Sequence, residues 1–124
     1  MITYYTKEGK LTCIYYGDIS FSKLHRLDGP AVEWFDGSKE WWVDGKRHRL
    51  YGPAIIWHNG TKEWFINGKK HRLDGPAVEY NDGIIEWRIK GKRLSNDEVE
   101  AWVKENNINL KIKQHQVLFM VKFG

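Results

Sequence analysis

Three histidines recur at an interval of 23 residues, His25, His48 and His71, each followed by an arginine, Arg26, Arg49 and Arg72. Imidazole binds metals and titrates near neutrality, and guanidinium grips carboxylate or phosphate. A zinc site gathers its ligands around one point, whereas copies spaced by a constant period lie in a row. The spacing therefore assigns each histidine to the support of its own turn, and no metal is expected. Arg26 and Asp28, like Arg72 and Asp74, can pair at i, i+2, while Tyr51 holds that place in the middle copy. Glu33 with Glu40, and Glu79 with Glu86, form candidate carboxylate pairs of the kind that perform acid–base work. The middle copy has Ile56 with Glu63 and no nucleophile accompanies them, so ladder contacts to Lys39 and Lys62 are the expected role. GxSxG, P-loop, GxGxxG, HExxH and CxxC motifs are absent from the sequence. Neither catalysis nor a cofactor is expected.

Two sets of residues suit binding. The runs Lys46-Arg47-His48-Arg49, Lys69-Lys70-His71-Arg72 and Lys92-Arg93 predict a basic edge carrying Arg47, Arg49, Lys69, Lys70 and Arg72. Such an edge beside exposed rings can hold phosphates and stacked bases, although Asp28, Asp44 and Asp74 dilute its field. The second set starts from variation. Position 42 changes from Trp42 to Phe65 to Arg88, while Trp41, Trp64 and Trp87 before it are the same and Val43, Ile66 and Ile89 after it stay aliphatic. A position that the fold does not fix, filled with residue types enriched at interfaces, predicts an outer partner-binding face of Trp42, Phe65 and Arg88. Tyr51 joins it by removing a negative charge from the basic edge. The competing reading packs the C-terminal helix over this face through Val99, Trp102 and Val103, making Trp42 and Phe65 a second core.

The elements that must carry these residues follow from the period. His25–Arg47, His48–Lys70 and His71–Arg93 are ungapped copies, and the first and third share 16 of 23 residues. Asp36-Gly37, Asn59-Gly60 and Asp82-Gly83 lie between Val-, Ile- and aromatic-rich runs, which predicts a hairpin per copy with a two-residue type I′ turn. Strands are predicted over 30–35, 53–58 and 76–81, paired with 38–43, 61–66 and 84–89. The two-residue register sets Val32 opposite Trp41. The alternative, Val32 opposite Glu40, places a glutamate on the core face, and a one-residue slip flips every side chain. Trp41, Trp64 and Trp87 are then expected in the core. Asp44-Gly45, Asn67-Gly68 and Lys90-Gly91 mark a second turn, and Leu27, Leu50 and Leu73 read as apolar plugs beneath the His-Arg-Leu-x-Gly-Pro-Ala linkers. Residues 2–17 read as a degenerate hairpin punctuated by Gly9 and Gly17. Ser95-Asn96-Asp97-Glu98 is a capping box opening one C-terminal helix, and 117–121, Val-Leu-Phe-Met-Val, reads as a final strand.

The fold expected is thus mainly β: repeated antiparallel hairpins with one C-terminal helix and a final strand. One domain fits 124 residues, with 1–24 as N-terminal cap, 25–93 as the copies and 94–124 as C-terminal cap. A net charge of +4 is mild for a dedicated nucleic-acid binder. Cys13 stands alone, which excludes an intrachain disulfide and a multi-cysteine zinc site. No stretch approaches 18 apolar residues and the start does not read as a signal peptide, so a cytoplasmic protein without membrane insertion is expected.

The 23-residue period and glycine-punctuated aromatic hairpins resemble MORN repeats over 25–93, and more weakly over 2–17. The strand start here, Gly-Pro-Ala-Val-Glu-Trp at 29–34, replaces the Tyr-x-Gly-x-Trp of that pattern. The linker HRLDGPA is closer to the HR-x-DGPA repeat proteins of bacteria and phages. The resemblance implies a MORN-like sheet or solenoid used as a scaffold or lipid-binding surface, and a small phage accessory protein acting on a host factor or defence system. A protein partner is the expectation, nucleotide or nucleic acid on the basic edge is the alternative, and self-association stays open.

Overall fold

The computed structural model describes residues 2–7, 10–16 and 24–124 of the chain. The N-terminal hairpin pairs β1 (Ile2–Lys7) with β2 (Lys10–Tyr16); Gly9 and Gly17 lie outside the described residues. Short strands follow: β3 (Val32–Trp34), β4 (Lys39–Glu40), β5 (Trp42–Val43) and β6 (Lys46–Arg47) in the first copy. The second copy gives β7 (Ile55–Ile56), β8 (Lys62–Glu63), β9 (Phe65–Ile66) and β10 (Lys69–Lys70). The third gives β11 (Val78–Glu79), β12 (Ile85–Ile89) and β13 (Lys92–Leu94). Two helices close the chain, α1 (Asn96–Glu105) and α2 (Lys113–Phe123). One antiparallel sheet runs β1-β2-β3-β4-β7-β8-β11-β12-β13, and β5-β6 and β9-β10 form two-stranded ribbons beside it.

The hairpin register differs from the sequence expectation. Val32 faces Glu40 and Glu33 faces Lys39, with the same offset at Ile55–Glu63 and Val78–Glu86. The turn chemistry decides this. Gly37 N–H donates to the Trp34 carbonyl at 3.1 Å, Trp34 N–H to the Ser38 carbonyl at 2.9 Å, and the Asp36 carboxylate accepts from Ser38 N–H at 2.8 Å. That is a three-residue loop with its glycine at positive φ, 95°, one of the common hairpin connections. The type I′ turn lies eight residues on, where Asp44 and Gly45 both have positive φ, 50° and 74°. Asn67-Gly68 and Lys90-Gly91 repeat that geometry. The expected pairings Val32–Trp41 and Glu33–Glu40 are therefore absent.

The register does put a glutamate on the inner face, and Glu40 is only 4% exposed. Its carboxylate accepts from Trp34 Nε1 at 2.8 Å, Trp42 Nε1 at 3.2 Å and Arg47 Nε at 3.2 Å. Trp57 Nε1 donates to Glu63 and the Tyr80 hydroxyl to Glu86. A buried carboxylate with such donors is tolerated where an unpaired one is not. Trp34 and Trp57 thus serve both as rings packed on the core and as donors, while Tyr80 is an exposed donor.

Neighbouring copies are tied by side chains as well as by the ladder. The Ser38 hydroxyl accepts from His58 N–H, and the Thr61 hydroxyl from Asn81 N–H. Ile84 ends this series and is exposed. Buried Ala31, Ala54 and Ala77 let the Gly-Pro-Ala segments close against the sheet. The core is a row of three clusters: Cys13, Tyr15, Leu24 and Val32; then Ala54, Ile55 and Phe65; then Trp87, Ile89, Leu94, Val99 and Phe119.

The C-terminal helices build the third cluster. Ser95 caps α1, its hydroxyl accepting from Glu98 N–H, as the capping-box pattern predicts. Residues 117–121 are helical within α2, not a strand. Five apolar residues do not separate the two conformations by periodicity. Phe119, Met120 and Phe123 form a helical stripe, and Phe119 packs edge-on to Trp87 with ring centres 5.6 Å apart. Trp102 stacks on Phe119 at 6.1 Å.

Candidate partner-binding surface

Each linker is built around its arginine. Arg26 lies over the Tyr16 ring at 3.8 Å, Arg49 over Trp41 at 3.9 Å and Arg72 over Trp64 at 3.8 Å. The Nη1 atoms donate to the carbonyls of Pro30, Pro53 and Pro76 at 3.0–3.1 Å. Gly29, Gly52 and Gly75 lie against the other side: a Cβ at any of them would meet the guanidinium carbon at 2.8–3.0 Å. This explains why glycine precedes the proline in every copy. The histidines hold the type I′ turns. Nδ1 of His25, His48 and His71 accepts the backbone N–H of Asp44, Asn67 and Lys90 at 2.8–3.0 Å. Burial and the nearby Lys90 charge push the His71 pKa below its ordinary value.

The linker leucines do not plug the core at two of three positions. Leu27 is 81% and Leu50 68% exposed, and Tyr51 beside them is 91% exposed. They border two grooves of equivalent position. One, of about 560 Å³, runs between the first two linkers over Trp41 and Val43. The other, of about 710 Å³, runs between the second and third over Trp64 and Ile66, with Lys113 and Gln116 of α2 at its rim. Leu50, Tyr51 and Arg49 line both grooves. At the third linker the chain covers itself. Leu73 packs against the cluster of Trp87, Ile89 and Phe119, and Phe119 meets Trp87 where Arg49 and Arg72 meet Trp41 and Trp64, leaving a smaller pocket of about 390 Å³ beside Val103 and Leu110. Lys111 fixes the connection between the helices to Asp74 at 3.5 Å.

The outer face expected from position 42 is not outer. Phe65 is 7% exposed and belongs to the middle core cluster. Trp42 is half-buried, packs on the first cluster and donates to Glu40. Arg88 ion-pairs with Glu86 and donates to the Gly91 carbonyl. The two-residue separation from Glu40 and Glu86 puts position 42 on the carboxylate's side, where Trp and Arg can each donate to it. Trp87 is buried as expected, but Trp41 and Trp64 are half-buried under arginines. The competing reading, in which α1 covers Trp42 and Phe65, does not hold either, because Val99, Trp102 and Val103 pack with Trp87.

Most of the basic edge is internally paired. Arg47 bridges to Glu40 and lies 5.1 Å from the Trp42 ring; Lys70 reaches Glu63 at 3.5 Å; Arg72 bridges to Asp74 and Glu79. Lys69 lays its aliphatic stem beside Gly91. Of the residues singled out by sequence, Tyr51, Arg49 and Arg72 come together along the grooves. Residue type alone predicts a core place for Leu27 and Leu50, and the structure exposes both. Their place inside a charged chain reversal, off the alternation of any strand, was the available signal. A second exposed apolar set, Val117, Leu118 and Val121, lies on α2.

Among the described residues no cluster of His, Cys, Asp or Glu is arranged to hold a metal ion, and no helix is long and apolar enough to cross a membrane. No protein-family model, curated protein or solved structure matches the chain.

Proposed function

We propose that the chain is a non-catalytic interaction module that binds a protein partner along its linker face. The observation that carries this is the exposed row Leu27, Leu50 and Tyr51 bordering two grooves, whereas over Trp87 the chain's own helices leave a smaller pocket of about 390 Å³. Contiguous exposed apolar side chains rimmed by polar ones favour protein contact, and an arginine-flanked tyrosine has the character of an interface anchor. The internal pairing of Arg47, Lys70 and Arg72 supports a protein over a nucleic-acid ligand, since those charges already have carboxylate partners. The resemblance to MORN and HR-x-DGPA proteins fits a hairpin scaffold, and inhibition of a host factor by a phage accessory protein is the role it implies.

Capture from nuclease-treated lysate tests the reading. The wild-type chain should retain a protein at moderate salt, and Leu27→Ser/Leu50→Ser should lose it while keeping its melting temperature. Capture that disappears with nuclease, or falls steeply with salt as phosphate contacts do, would instead assign the surface to nucleic acid.

A further inference from the structure

Arg49 lacks the carboxylates around its two equivalents: Tyr51 stands at the position of Asp28 and Asp74, and Ile56 at that of Glu33 and Glu79, the last of which accepts from Arg72. Arg26 Nε donates to Asp28 at 3.0 Å and Arg72 Nε to Asp74 at 2.7 Å. The corresponding residue in the middle linker is Tyr51, whose ring extends into solvent. Among the described residues Arg49 has no carboxylate partner, and its one side-chain hydrogen bond runs from Nη1 to the Pro53 carbonyl. Its guanidinium nonetheless keeps the same stack as the others, between the Trp41 ring at 3.9 Å and the Gly52 backbone. The Nε edge is thus fixed in the place where the first and third linkers seat an aspartate. Leu50 and Tyr51 flank it, with grooves on both sides.

We infer that Arg49 is a vacant carboxylate seat, and that the partner fills it with an aspartate or glutamate side chain set among apolar residues. This rests on the linker face being the binding surface. The chemistry comes from the chain's own precedent, since Asp28 and Asp74 are what this arginine geometry takes when the sequence supplies it. A pre-positioned guanidinium loses little conformational entropy on pairing, and charge-assisted bonds to carboxylate are among the stronger polar contacts. The apolar surroundings select the flanking residues: Leu27 and Leu50 offer aliphatic contact on either side of the seat. The electrostatics agree. Burial alone acts on Arg49 and lowers its pKa. At Arg26 burial also lowers the pKa, but the Asp28 hydrogen bond and the Tyr16, Asp28 and Glu33 charges outweigh it and raise the pKa overall.

The test uses the full chain labelled with ¹⁵N and follows the Arg49 Nε–H resonance during titration with acetyl-Leu-Asp-Leu-amide, its Asn counterpart and inorganic phosphate. The Asp peptide should shift that resonance saturably and at least fivefold more tightly than the Asn peptide or phosphate, leaving the Arg26 and Arg72 resonances in place. Tyr51→Asp, which reproduces the residue at positions 28 and 74, should fill the seat and abolish the response without lowering the melting temperature. Tyr51→Ala removes the ring, leaves the seat vacant, and should keep the response. Equal shifts from the Asp and Asn peptides, or a response surviving Tyr51→Asp, would overturn the inference. Tighter binding of phosphate would overturn it in favour of a phosphate ligand. In lysate capture, loss by Leu27→Ser/Leu50→Ser with retention by Tyr51→Asp would overturn the seat and leave the face standing. Capture surviving both variants would overturn the face itself.

Discussion

Glu40 accepts hydrogen bonds from two indoles and a guanidinium while almost fully buried. Glu40→Ala would strand those half-buried donors, and leaving a donor unpaired costs about 1–3 kcal/mol. Urea unfolding should show a loss of that order, against a change within about 0.5 kcal/mol for Glu33→Ala on the opposite face of the hairpin. Equal losses would mean that the register is the two-residue one after all. His71 gives a pH-dependent expectation. Its Nδ1 accepts from Lys90 N–H, which requires the unprotonated nitrogen, and burial with the Lys90 charge lowers its folded pKa. The unfolded value is about 6.5, so between the folded value and about 6.5 the unfolded chain binds more protons and stability rises with pH. The contribution is intact above about 6.5 and declines as pH falls through and below that value. The melting temperature should therefore fall more between pH 7.5 and 5.5 in the wild type than in His71→Gln; parallel profiles would contradict the assignment.

At the scale of elements, the two turns of each copy show what the sequence could and could not settle. Both carry Asp-Gly or a close equivalent, and the dipeptide suits either a type I′ turn or the end of a three-residue loop. Asp44-Gly45 is the first and Asp36-Gly37 the second. The choice hinged on whether a glutamate could face inward. Without coordinates, the donors that make this acceptable, Trp34 and Trp42, read only as hydrophobic residues. Hairpins, strand centres and the Ser95 cap were legible because local residue types dictate them. The conformation of 117–121 was not, because it depends on Trp87 and Trp102, more than a dozen residues away. The proposed binding surface is half legible: Tyr51 and Arg49 stand out by residue type, whereas the faces of Trp42 and Phe65 depend on the hairpin register. Phe119 is the key to the helical cap. Phe119→Ala should cost about 3–5 kcal/mol and shift tryptophan emission to the red as Trp87 and Trp102 gain water. An unchanged spectrum and midpoint would show that α2 does not pack there.

For the whole molecule, the row of linkers has two open grooves at its first positions and, at the last, a smaller pocket bordered by Trp87, α1 and the connection to α2. The ladder and the His58–Ser38 and Asn81–Thr61 ties hold the spacing between linkers, so the face presents a fixed set of anchors. Hydroxyl-radical footprinting of the chain, free and bound to its captured partner, tests this account most directly. It predicts that Leu27, Leu50 and Tyr51 are labelled in the free chain and protected in the complex, while Phe65 stays unlabelled in both. Undiminished labelling of Leu27, Leu50 and Tyr51 in the complex would contradict it.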